Sequence, residues 1–140
     1  MTTNNLWKRL HMLYFFVSIL GLASVSIISI LDPQQTMDLV QVKLENTDAI
    51  SSIRGIYGGV GCTIIVGLIY LQRQLPFLAL AFLTMFWSSY ALSRYLTMAI
   101  DGPLQDFGNQ WVLIETILAV LGLGLVMAQS KNRLTTSARN

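Results

Sequence analysis

Hydrophobic residues along this chain fall into four long runs, at positions 10–31, 49–71, 75–100 and 111–129, separated by short polar connections. A helix needs about 20 apolar residues to cross the hydrocarbon core of a bilayer, and each run is close to that length or longer. None of the runs alternates strictly between apolar and polar residues, as the strand of a membrane barrel would. The pattern therefore predicts an all-α membrane protein, a four-helix transmembrane bundle that forms a single domain over 1–140.

The composition is typical of a membrane protein. Hydrophobic residues make up 54% of the sequence and charged residues 11%, and the mean hydropathy is +0.58. Soluble domains are about one quarter charged, so this chain has too few charged residues to cover a water-exposed surface. The net charge is only +2, and no basic cluster beside exposed aromatic residues indicates nucleic-acid binding. The single cysteine, Cys62, excludes an internal disulfide and a cysteine-based zinc site.

Basic residues are distributed unequally between the connections. Lys43 is the only basic residue in the connections 32–48 and 101–110. The N-terminus, the remaining connection and the C-terminal tail together hold six basic residues. The positive-inside rule places the side with more lysine and arginine in the cytoplasm. Both termini are therefore predicted to be cytoplasmic, and both acidic connections to face outward. The six basic residues are Lys8, Arg9, Arg73, Lys131, Arg133 and Arg139.

Ionisable residues interrupt three of the predicted helices. In this topology Arg54, Arg94 and Glu115 all lie within roughly 6–9 Å of the outer interface, at 1.5 Å per residue. Asp101 follows Arg94 by two helical turns and so lies near the same face. Tyr57, one turn from Arg54, either adds a hydroxyl to this layer or faces the lipid. The sequence thus predicts one polar layer formed by these five residues.

Three interpretations of the polar layer remain open. Charged groups within a span cost about 2.5–3.5 kcal/mol each on insertion scales, and they usually face the bundle interior and pair. The arginines would then neutralise the two acids and lock the helices together. Alternatively, the layer is an outward-facing pocket for a small anionic or amphiphilic ligand, or the arginine side chains extend to water at the interface.

Glycines are concentrated at the start of the second run, in the sequence RGIYGGVG. Gly55 and Gly59 have the G-x-x-x-G spacing, and Gly58 and Gly61 lie beside them. Because glycine has no side chain, such residues let a neighbouring helix approach closely and gain van der Waals contact in lipid. Gly55, Gly58 and Gly59 are therefore predicted to be helix-packing positions.

Taken in order, these motifs resemble a known family. They are similar to the DUF4345 type of small bacterial four-span membrane proteins. The features that carry the resemblance are the sequence RGIYGG, an arginine late in the next helix, the sequence DGP that begins at Asp101, and a glutamate early in the last helix. The resemblance covers about 46–124, and Ser93 stands where a glycine is expected before the arginine. The family is one of unknown function. The resemblance therefore implies the architecture, the polar layer and a bacterial inner membrane, but no reaction.

Nothing in the sequence indicates an enzyme. His11 is the only histidine, and it is interpreted as an interfacial residue at the cytoplasmic end of the first helix rather than as a ligand. A single histidine provides neither a metal triad nor a nucleophile–base pair with the distant Cys62. Phosphate-binding and dinucleotide-binding motifs are absent from the sequence. We therefore expect a non-enzymatic protein with no cofactor and no metal site.

The outer connection 32–48 has two interpretations. Val40, Val42 and Leu44 alternate with polar residues, as in a short strand, whereas Met37, Val40 and Leu44 fit a helix lying on the membrane surface. We prefer the second, a short amphipathic lid over the polar layer.

The function favoured by these observations is a non-enzymatic membrane protein whose outward-facing pocket binds a small anionic ligand or a lipid headgroup. The alternative is an accessory or structural subunit that docks another membrane protein, and a third possibility is a small oligomeric transporter. The expected partners are membrane lipids, another membrane protein or further copies of the chain, and no nucleic acid.

The basic bias generates a prediction about topology. Reporter fusions after Gln74 and after Ser130 are expected to report the cytoplasm, and a fusion near Asn46 is expected to report the outside. An external reporter at Ser130 combined with an internal one at Asn46 would invert the topology and contradict the prediction.

Overall fold

The structure, a computed structural model, describes residues 3–137, with side chains over 6–131, and the regular secondary structure in this part of the chain is helical. Six α-helices occur, and a π-helical segment links the third to the fourth. The elements are α1 Thr3–Leu31, α2 Pro33–Asp38, α3 Thr47–Ile53, the π segment Arg54–Val60, α4 Gly61–Gln74, α5 Pro76–Ile100 and α6 Asp106–Ser137.

Four helical stretches are long and apolar enough to cross a membrane, which confirms the predicted number of spans. Large hydrophobic side chains are widely exposed on them, including Leu13 at 60%, Val66 at 68% and Met127 at 71%. Such extensive apolar exposure is unfavourable in water but suits hydrocarbon. The chain is therefore an all-helical, multi-pass membrane protein. The spans are Leu6–Leu31, Thr47–Gln74, Pro76–Ile100 and Asp106–Lys131.

Capping residues set where α2 and the second span begin. Asp32 Oδ1 accepts a hydrogen bond from Gln35 N at 3.2 Å and begins α2, with Pro33 in the first turn. Asn46 Oδ1 accepts one from Ala49 N at 2.8 Å and begins α3 in the same way. Each cap satisfies a backbone N–H that has no partner within its own helix.

The connection between α1 and α3 is helical only over α2. The Gln34 amide donates to Asp38 Oδ1 at 2.6 Å and to Val42 O at 3.1 Å, and Gln34 Oε1 accepts from Leu44 N at 2.8 Å. Gln41, with φ of 58°, turns the chain between these contacts. One side chain thus provides the backbone partners that a strand or a longer helix would have supplied. The strand interpretation is wrong, and the helix includes Met37 but ends before Val40 and Leu44.

The chain divides into two compact units. Unit 1 comprises Met1–Phe16 and Gln72–Asn140, and unit 2 comprises Val17–Leu71. In unit 1, α5 packs against α6, and its buried residues include Leu83 and Trp87. Unit 2 contains the second half of α1, the helices α2 and α3, the π segment and most of α4.

Two glycines in unit 2 allow close contact between the second span and α1. A Cβ added to Gly58 would lie 2.5 Å from Ile30 Cγ1 and 3.4 Å from Ile30 N. A Cβ added to Gly61 would collide with the Ser26 side chain. Ser26 and Ile30 are one turn apart on α1, so the two spans approach closely over a full helical turn.

The predicted G-x-x-x-G pair does not face α1. Gly55 and Gly59 are exposed, and a Cβ at either position would have no heavy atom of another part of the chain within 4 Å. Successive residues of a helix point in different directions, so Gly58 faces α1 while its neighbour Gly59 does not. Of the three predicted packing glycines, only Gly58 contacts α1. Gly61, which was not among the three, contacts α1 as well.

These contacts predict different effects for the same substitution at two neighbouring glycines. Gly58→Leu is expected to destabilise the protein by about 1–3 kcal/mol, because the new side chain overlaps Ile30 in a closely packed site. Gly59→Leu is the matched control and is expected to melt like the parent protein in detergent. Equal losses in the two variants, or no loss in Gly58→Leu, would contradict this assignment.

Candidate functional site

One face of α6 organises the polar contacts of unit 1. Glu115, Gly122 and Gln129 follow one another at intervals of two helical turns, so they lie on one face, about 10.5 Å apart. Glu115 and Gly122 are buried and Gln129 is half-buried. Each marks a level at which α6 meets a polar group of another helix in unit 1.

The first level is a charged pair between α5 and α6. Arg94 Nε donates to Glu115 Oε2 at 2.6 Å, and this is the ion pair that joins described side chains within unit 1. The Glu115 side chain is 2% exposed and the Arg94 side chain 22%. A buried carboxylate loses its hydration, and the short charge-assisted hydrogen bond compensates for that loss. The pair therefore fixes α5 to α6 with no net charge.

A hydroxyl bridge reinforces the charged pair one residue further along each helix. Tyr95 Oη and Thr116 Oγ1 are 2.9 Å apart, and Thr116 Oγ1 donates to Val112 O at 2.6 Å. A threonine hydroxyl has one proton to donate, so Tyr95 is the donor in the bridge. Two adjacent side-chain contacts thus set the register of α5 against α6.

The second level is a close approach at Gly122. A Cβ there would lie 2.5 Å from Thr84 Oγ1 and 2.6 Å from Tyr14 Oη, so no larger residue fits without displacing a neighbour. Thr84 Oγ1 donates to Leu80 O at 2.8 Å, which satisfies its proton within α5. Gly122 thus lets two polar side chains lie against the backbone of α6.

The third level is a junction of three side chains from α1, α4 and α6, which we call the amide–imidazole junction: His11, Gln72 and Gln129. Gln129 Nε2 lies 3.0 Å from His11 Nδ1, and His11 Nε2 lies 3.1 Å from Gln72 Oε1. A neutral imidazole protonated at Nε2 satisfies both contacts, accepting from Gln129 and donating to Gln72. His11 is 6% exposed, so its side chain is buried among these helices.

Asp101 is separate from the charged pair. It follows the last residue of α5, is exposed, and its backbone N–H donates to Thr97 O at 2.8 Å. Gly102, with φ of 106°, then turns the chain away from the helix. Within the described part of unit 1, Asp101 forms no ion pair with Arg94.

The other two predicted site residues, Arg54 and Tyr57, belong to the π segment of unit 2. Arg54 Nε donates to Ile30 O at 3.0 Å. Ile30 lies in the last turn of α1, where carbonyl groups have no helical partner and the helix dipole is negative. Arg54 therefore caps α1, and the close contact at Gly58 brings the two helices near enough for this bond. Tyr57 is 37% exposed.

The sequence was compared with models of known protein families. A profile described as Domain of unknown function (DUF4345) matches residues 11–126. The chain belongs to the DUF4345 family. The resemblance inferred from the motifs is thereby confirmed. No curated protein and no solved structure has a significant match to this DUF4345 chain.

Sequence reasoning about this DUF4345 protein missed the amide–imidazole junction and Gly122. A signal existed, because Gln129 and Gly122 repeat the face of Glu115 at intervals of two turns. No group of three or more potential metal ligands occurs among the residues that the structure describes.

The unequal exposure of the charged pair predicts unequal effects of mutation. Breaking a buried pair from one side costs about 3–5 kcal/mol. Arg94→Gln is expected to destabilise the DUF4345 protein more than Glu115→Gln, because an unpaired Glu115 stays buried whereas an unpaired Arg94 is partly hydrated. The double variant is expected to recover part of the loss. Thermal melting in detergent measures all three.

Asp101→Asn is the matched control, because it also neutralises an acidic residue of unit 1 but one that is exposed. Its melting temperature is expected to equal that of the parent protein. Additive losses in the double variant would show that Arg94 and Glu115 contribute independently, contrary to the contact described above.

Proposed function

We propose that this DUF4345 protein is a non-enzymatic protein of the bacterial inner membrane that binds a small anionic ligand or a lipid headgroup through Arg54. Both termini lie in the cytoplasm in this proposal, so Arg54 is near the outer end of its span. The basic bias of the connections supports this orientation.

The observation that carries the proposal is the bonding of the Arg54 side chain. The bond to the Ile30 carbonyl uses only Nε, so the four N–H groups of the two terminal nitrogens are left to bind a ligand. No carboxylate among the described residues of unit 2 forms an ion pair with this guanidinium. The carbonyl bond orients the guanidinium, which has no direct ion-pair partner among these residues.

A guanidinium held in this way suits an anion with paired oxygens. Its planar fork matches the geometry of phosphate and carboxylate groups, which it binds with two parallel hydrogen bonds. Arg94 offers no comparable charge, because Glu115 neutralises it at 2.6 Å. The structural role that the sequence suggested for the polar layer thus suits the charged pair, and the binding role suits Arg54.

The test compares bound anions in two variants. Arg54→Gln is expected to lose one bound phosphatidylglycerol when the protein is purified in mild detergent with this lipid and examined by native mass spectrometry. Arg54→Lys is expected to lose part of the binding, because lysine keeps the charge but not the fork. Lys43→Gln, which removes a cation of the same unit, is the matched control and is expected to change nothing.

Full retention of the lipid by Arg54→Gln would contradict the proposal. The second candidate, an accessory subunit, is favoured by the open backbone at Gly55 and Gly59. It predicts a protein partner in constant ratio to the chain, and Gly59→Leu would release that partner whereas Arg54→Gln would not.

A further inference from the structure

The helix ends of unit 1 that meet at the amide–imidazole junction carry only basic charge. Lys8 lies one turn before His11 on α1, and Arg9 follows it; Arg73 is adjacent to Gln72. All three basic side chains are exposed. On α6, the charged residue nearest to Gln129 is also basic, Lys131.

The junction joins the helix ends that carry these cations. Its two contacts, of 3.1 Å and 3.0 Å, join the N-terminal part of α1 to the ends of α4 and α6. Each cation is within about one helical turn of a junction residue along its own helix, so the three cations lie at the same end of unit 1. We call these three residues the basic end: Lys8, Arg9 and Arg73.

No side-chain carboxylate among the described residues of unit 1 lies near the basic end. The nearest acidic residue along α6 is Glu115, which is about four turns before Gln129 and is already paired with Arg94. Along α5 the first acidic residue after Arg73 is Asp101, beyond the far end of the helix. The junction itself is uncharged, so it holds the cations together without neutralising them.

Repulsion between these cations favours the binding of an anion from outside the chain. The apolar side chains nearby indicate that this anion is a lipid. Leu6, Leu10, Leu75 and Leu78 flank the basic end and are 49%, 39%, 54% and 50% exposed. A soluble anion gains nothing from these side chains, whereas the acyl chains of a lipid pack against them. Basic pockets between membrane helices are suited to phosphate headgroups for the same reason.

We propose that the basic end binds the headgroup of an anionic phospholipid, with its acyl chains against the flanking leucines. This site goes beyond the proposed function at Arg54, because it lies in the other unit and uses different residues. The amide–imidazole junction acts as its support by fixing the ends of α1, α4 and α6.

The experiment is a lipid titration of the full chain in detergent. Each cation near an anionic headgroup contributes about fivefold in affinity. The titration is done with Arg54→Gln in both proteins, so that only this site is measured, and adding Lys8→Gln, Arg9→Gln and Arg73→Gln is expected to weaken phosphatidylglycerol binding about 100-fold. Phosphatidylcholine is expected to bind weakly to the parent and the variant alike. The three positions are exposed, so the variant is expected to melt like the parent without lipid.

Two further variants test the supporting role of the junction and the independence of the two lipid sites. Gln129→Met removes the amide but keeps the shape, and it is expected to weaken phosphatidylglycerol binding although every cation remains. Arg54→Gln is expected to leave the lipid at the basic end in place. Failure of the Arg54 proposal can therefore be distinguished from failure of the proposal made here. Equal affinity of the parent for the two lipids, or unchanged affinity in the triple variant, would overturn the inference.

Discussion

A polar group within hydrocarbon has no water to bond, so its partner must come from the protein. This constraint accounts for the polar contacts of both units. Glu115 is paired with Arg94 at 2.6 Å, and Arg54 donates to a carbonyl at the end of α1 at 3.0 Å. His11 lies between two amides. Each contact also joins two helices, so satisfying the polar groups determines which helices are neighbours within a unit.

The polar contacts in turn depend on the absence of side chains at a few positions. Hydrogen bonds act over about 3 Å, and helices in contact through large side chains are about 8–10 Å apart at their axes. Gly58 brings the second span against Ile30, whose carbonyl accepts from Arg54. Gly122 leaves room for the hydroxyl groups of Thr84 and Tyr14 against α6. Lipid provides no hydrophobic force between helices, so this close packing is itself a main source of stability.

The sequence predicted the spans well because their signal is local. About twenty apolar residues in a row indicate a membrane helix whatever the rest of the chain does. Arg94 and Glu115 were also placed correctly at one level, since helical rise converts their distances from the span ends into depth. The partners of His11 were not predictable in this way, because Gln72 and Gln129 lie 61 and 118 residues away. Hydropathy gives the depth of a residue but not the direction in which it faces. For the same reason Gly55 and Gly59 were predicted to pack along with Gly58, whereas Gly58 and Gly61 make the contact.

The charges divide into those that hold helices together and those that are available to a ligand. In unit 1 the Arg94–Glu115 pair is neutral, and the amide–imidazole junction joins three helices without any charge. In unit 2 Arg54 caps α1 with one nitrogen and keeps its positive charge. In these proposals, removing a paired group is expected to affect stability first, whereas removing Arg54 or a cation of the basic end is expected to affect the binding of anions first. That separation would make each proposed site accessible to mutation by itself.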